Sequence, residues 1–128
     1  MKIDDLTKAE EQVMQYLWKI QKGFLKDIIE QFPEPKPAYT TVSTVVRVLV
    51  NKKFIAYNTY GKIHEYFPLV SKELYFQNRV KPIISNYFEG SPALMASCFA
   101  NEKMDLTELN EIKRLIEQRI NKLKSKKS

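Results

Sequence analysis

Between Ala38 and Ile55 the chain reads AYTTVSTVVRVLVNKKFI, and Tyr39, Thr40, Thr41, Ser43, Thr44 and Arg47 crowd hydroxyl groups and one guanidinium into a short stretch. This is hydrogen-bonding chemistry rather than bond-breaking chemistry. Short hydroxyls donate to and accept from phosphates and base edges, and threonine methyls pack on thymine methyls without filling a DNA groove. Arg47 is the one side chain of the set able to grip guanine through two parallel hydrogen bonds. Lys52, Lys53 and Lys62 suit phosphates as point charges. The bland reading of the same flank is a solvated helix face that touches nothing.

The spacing decides which element carries these groups. Val42, Val45, Val46 and Leu49 recur at three- and four-residue steps, while Thr40, Ser43, Thr44, Arg47 and Asn51 share the opposite flank. That is an amphipathic helix, although its many β-branched residues have poor helix propensity. Alternation fails across TVVRVLV, and the prolines of PEPKP bound the window upstream, so a strand does not fit.

Upstream, Thr7 can cap a first helix, with Glu10 three residues later completing a capping box. Val13, Met14, Leu17 and Trp18 give it one apolar face until Gly23 ends the run. FLKDIIEQF predicts a short second helix with Leu25, Ile28, Ile29 and Phe32 inward, stopped by PEPKP. Downstream, FIAYNTYGKIHEYFPLV is β-branched and aromatic around Tyr60-Gly61 and predicts a hairpin. Ile55, Tyr57, His64 and Tyr66 would share one face of it, and Phe54, Ile63 and Phe67 the other. Ser71 caps a fourth helix that Pro82 should kink or split near Lys81, and Ser91-Pro92 opens a fifth through ALMASCFA. After Asp105 a last helix aligns Leu109, Ile112, Leu115, Ile116, Ile120 and Leu123 in one stripe.

The expected fold class is therefore mainly α with a small β-hairpin wing: a winged helix-turn-helix domain over residues 1–71, then a helical region over 72–128. In that arrangement the third helix enters the major groove and the hairpin lies along the backbone. Lys and Arg outnumber Asp and Glu by 21 to 15, a net charge of +6 that an anionic partner would attract. The excess is spread over both halves, and the terminal KLKSKKS is expected to be a frayed, solvated end.

Several function classes drop out. Cys98 is the only cysteine, which excludes an intramolecular disulfide and a cysteine-rich metal cage, and a small buried hydrophobe is its expected role. His64 is the only histidine and reads as a packing or surface residue with no second ligand near it. No Ser/His/Asp set, paired-carboxylate arrangement or glycine-rich phosphate loop is visible, so neither catalysis nor a cofactor or metal is expected. No apolar run is long enough for a membrane span, and the acidic, polar start does not resemble a signal peptide. A cytoplasmic protein without direct membrane association is expected.

LTKAEEQVMQYLW at 6–18 resembles the opening of the penicillinase repressor family, and AYTTVSTVVRVLVNKKFI resembles that family's recognition helix. EYFPLVS and GSPALMASCF are similar to its wing end and its dimerisation segment, so the resemblance spans nearly the whole chain. It implies a homodimeric transcriptional repressor bound to an inverted-repeat DNA operator, with Tyr39, Thr40, Thr41, Ser43, Thr44 and Arg47 at the DNA-reading positions. It also implies dimerisation through the C-terminal helices, where Phe88, Leu109, Ile112, Leu115, Ile116 and Ile120 are the candidate contacts. In part of the family repression is lifted by cleavage within an Asn-Phe pair, through a pathway that starts at a membrane-bound metalloprotease sensor. The matching pair here is Cys98-Phe99, in which the asparagine is not kept. Two further departures are Lys53, where the family usually has glycine, and Pro82. The rival reading from another class is a winged-helix adaptor that binds protein and for which the hydroxyl flank is incidental.

Overall fold

A computed structural model describes residues 5–102 and 104–126. Helix α1 (Lys8–Ile20) starts at the expected box: the Glu10 N–H donates to Thr7 Oγ1 at 3.2 Å and the Thr7 N–H to Glu10 Oε1 at 3.0 Å. It ends earlier than its pattern predicts, at Gln21, whose φ of 70° turns the chain out of the helix. Gly23 does something else. A Cβ there would sit 2.8 Å from the Ile20 Cδ1 and 3.1 Å from the Asp27 Cβ, so only glycine lets the chain pass between these two side chains without a shift.

That passage forms a two-residue strand, β1 (Gly23–Phe24), too short to leave a pattern in the sequence. Helix α2 (Leu25–Glu30) follows and is shorter than expected; Asp27 Oδ2 accepts the Phe24 N–H at 2.9 Å at its start. At its end Lys36 Nζ donates to the carbonyls of Glu30 and Phe32 at 3.0 and 2.8 Å, placing a cation where the helix dipole favours one.

Helix α3 (Tyr39–Asn51) buries Val42, Val46 and Leu49 and half-buries Val45, as its spacing predicts. Its end is a complete Schellman motif: the Phe54 N–H reaches the Leu49 carbonyl and the Lys53 N–H the Val50 carbonyl, both at 3.0 Å. Lys53 holds the left-handed position between them, at φ 66°. Phe54 and Leu49 are both buried, supplying the apolar contact that accompanies the motif.

Strands β2 (Ile55–Tyr60) and β3 (Ile63–Pro68) form the wing, and β1 pairs with the other edge of β3, giving a three-stranded antiparallel sheet in the order β1-β3-β2. The two-residue loop is Gly61-Lys62, one residue beyond the expected Tyr60-Gly61. That slip moves the register by two residues, so the faces keep their assignment: Tyr57 pairs with Tyr66 and Thr59 with His64 on one face, Tyr60 with Ile63 on the other.

Val13, Met14 and Leu17 from α1, Ile28 from α2, Val42, Val46 and Leu49 from α3, and Phe54, Ile55 and Val70 form one core. Trp18 closes it, donating from Nε1 to the Val70 carbonyl at 2.8 Å. Ser71 caps α4 (Lys72–Tyr87), accepting the Leu74 N–H at 3.1 Å. Pro82 does not split α4, contrary to one of the two expectations for it. The compact N-terminal unit takes in the start of α4, as far as Val80. Tyr75 explains the extension: it is buried in the core, accepts the Leu6 N–H at 3.2 Å and donates to Glu11 Oε2 at 3.3 Å.

The second unit begins at Lys81. It contains α5 (Pro92–Glu102), capped by Ser91 as expected, and α6 (Leu106–Lys126), capped by Asp105 Oδ1 on the Glu108 N–H at 2.9 Å. Cys98 is exposed on α5 rather than buried. The terminal lysines continue α6 through Lys126 instead of fraying, and the last two residues lie outside those described.

Candidate nucleic-acid interface

Helix α3, the wing and the start of α2 enclose an open cleft of about 760 Å³. From α3 come Tyr39, Ser43, Arg47, Val50 and Asn51; from the wing come Tyr57, Lys62, Ile63, His64 and Tyr66; Phe24, Leu25 and Lys26 close the third side. Three cations therefore line the cleft and no carboxylate does. Among the described residues none of the three forms a salt bridge. Arg47 is exposed, and its guanidinium is left to an incoming anion or base.

The aromatic wall is held by its own contacts. Tyr57 lies against His64 with ring centroids 4.0 Å apart, and meets Tyr66 edge-on at 5.8 Å. Burial pushes the Tyr66 phenol above its ordinary value, the neighbouring phenols of Tyr39 and Tyr57 push the same way, and Arg47 opposes them. The Tyr66 phenol therefore stays protonated and can donate.

Of the residues expected from sequence, Tyr39, Ser43, Arg47 and Lys62 meet in this cleft. Thr40, Thr41 and Thr44 are exposed on α3 beyond its lining, and the Thr44 hydroxyl donates to the Thr40 carbonyl at 2.9 Å, leaving its oxygen as an acceptor. Lys53 is exposed at the corner between α3 and the wing. Lys52 is the exception. Its Nζ lies 2.8 Å from Glu10 Oε1, so its charge serves α1 rather than a free phosphate site. Burial alone would raise the Glu10 carboxyl, but Lys52 and the Thr7 N–H and hydroxyl together hold it below the ordinary carboxylate range. Lys26, Tyr57, His64 and Tyr66 were not expected in the site. The period-2 pattern of the hairpin gives their shared face for the last three, but nothing local says what that face meets.

The profile of the penicillinase repressor family matches residues 6–118. The chain belongs to the penicillinase repressor family. A family of repressors is not one of enzymes, which agrees with the non-catalytic reading of the sequence. Among solved structures, the DNA-binding domain of the repressor BlaI superposes with a TM-score of 0.51 at 23% identity, covering 58% of this chain and 92% of that one. The monomeric form of Bacillus licheniformis BlaI in complex with the blaP half-operator gives 0.49 at 23% identity, over 58% and 92%. The CopR repressor gives 0.44 at 28% identity, over 53% and 100%. The likeness to the BlaI domain is one of fold, and it is the winged-helix fold. A search of curated proteins returned no match. No helix of this family member, among the described residues, is long and apolar enough to cross a membrane.

Proposed function

We propose that this chain is a transcriptional repressor that binds an inverted-repeat DNA operator as a homodimer. The observation that carries the reading is the unpaired Arg47 on the exposed flank of α3, in a cleft with Lys26 and Lys62 and without a carboxylate. Family membership and the fold shared with a repressor's DNA-binding domain support it. Tyr39, Thr40, Thr41, Ser43 and Thr44 read the groove with Arg47, and Lys53 and Lys62 hold phosphates on either side.

Two chains associate through α6. This helix is 21 residues long with no buried residue, and Ile112, Leu115, Ile116 and Ile120 are 36–52% exposed. Water penalises such a stripe, and a second copy of it would cover it with matched two-fold symmetry. Cleavage at Cys98-Phe99, driven by a membrane-bound metalloprotease sensor pathway, would require the middle of α5 to unwind before a protease could take the backbone in extended form.

The test is selection of binding sites from a random duplex library, followed by titration of the winning site against a scrambled duplex at several salt concentrations. An inverted repeat bound well above the scramble is expected. Arg47→Ala should then lose about 1–3 kcal/mol of discrimination at one base position per half-site. Equal, salt-sensitive binding to every duplex would overturn the reading and leave the adaptor role.

A further inference from the structure

His64 stands on β3, on the hairpin face that turns toward α3. Its Nδ1 meets the Thr59 hydroxyl at 3.2 Å, its ring lies at 30° to that of Tyr57, and Tyr66 approaches edge-on with centroids 6.1 Å apart. These contacts fix the plane of the ring and occupy one nitrogen. Nε2 has no hydrogen-bond partner among the described residues.

The charged and titratable groups that line the cleft with the ring are Lys26 from α2, Arg47 and Tyr39 from α3, and Lys62, Tyr57 and Tyr66 from the wing. Glu65 is next in sequence but falls on the opposite face, paired with Asn58 and Phe24. The imidazole thus shares a cleft with three cations and no carboxylate. Only an anion brought from outside can compensate a fourth positive charge there. A DNA phosphate is such an anion, and it favours the protonated ring.

We propose that His64 is a phosphate-contacting residue of the DNA interface through Nε2, and that its imidazole takes up a proton from solvent when the duplex enters the cleft. The proposal rests on the repressor reading. Its consequence is that operator affinity rises as pH falls through the histidine range. Uptake of one proton per chain steepens that rise by at most tenfold per pH unit for each chain bound. The chain holds a single histidine, so the effect is assignable to one side chain.

The experiment measures the dissociation constant of the full chain for its selected operator by fluorescence anisotropy from pH 5.5 to 8.5, at several salt concentrations. The wild type is compared with His64→Gln, which keeps a partner for Thr59, and His64→Phe, which keeps the ring against Tyr57. The wild type should bind several-fold more tightly at pH 6 than at pH 8, with a salt slope steeper by about 0.9 per chain at the lower pH. Both variants should give flat profiles. Parallel pH profiles in all three proteins, with tight operator binding, would overturn the role of His64 alone. Absence of operator preference in all three at every pH would overturn the repressor reading and this role with it.

Discussion

At the scale of single residues, Lys53 carries a conflict between conformation and charge. A side chain at φ 66° costs roughly 1–2 kcal/mol relative to a residue free of Cβ, and the Schellman hydrogen bonds on both sides hold it there. Lys53→Gly should raise stability by about 1 kcal/mol, moving the midpoint of thermal unfolding up by about 4–8 °C for a domain of this size. It should also weaken DNA binding evenly across sequences and lower the salt slope by about 0.9 per chain. A rise in both stability and affinity would show that the lysine charge does not reach the duplex. The hydroxyl flank and Arg47 were legible in the sequence because helical periodicity separates core from surface one residue at a time. The strain at Lys53 was not, since a backbone angle belongs to the motif that closes around it, and lysine carries no mark of it.

At the scale of elements, the Glu10–Lys52 pair joins the first turn of α1 to the C-cap of α3. Glu10 is 7% exposed and the Lys52 side chain 29%, so the pair is poorly screened by water. Glu10→Gln should destabilise the fold by about 2 kcal/mol at neutral pH, measured by urea unfolding. The pH dependence has a definite sign. The carboxyl titrates lower in the folded chain than its reference of 4.5, so its contribution is present above that value and disappears as pH falls through the folded one. The wild type should lose stability below about pH 4.5 more steeply than Glu10→Gln. An unchanged acid limb would mean the pair contributes nothing net. Among the described residues, the six helices and the hairpin were readable from caps and periods, with boundaries displaced by a few residues. The pair itself was not, because its partners lie 42 residues apart and each looked locally assigned, Glu10 to a capping box and Lys52 to a basic surface. Strand β1 escaped for a related reason: two residues have no period, and β3 alone makes them a strand.

At the scale of the whole molecule, the division after Val80 assigns α3 and the wing to one unit and the apolar stripe of α6 to the other. Leu115→Asp should therefore act on association and leave the first unit folded. Sedimentation should show the mass halved, and operator affinity should fall by more than the affinity for a half-site. An unchanged mass would exclude α6 as the interface. The stripe was visible in the sequence; how Tyr75 draws the start of α4 into the first core was not, because its partners lie far away in the chain. The indole of Trp18, bonded to the Val70 carbonyl and set 5.8 Å from the Tyr75 ring, is the only one in the chain. Its emission is thus a native spectroscopic label seated in the first unit, and a fluorescence-detected melt follows that unit. Loosening of the second unit, or separation of two chains, can proceed without changing that signal, so comparing emission with helix-sensitive circular dichroism would resolve whether the units melt together or in turn.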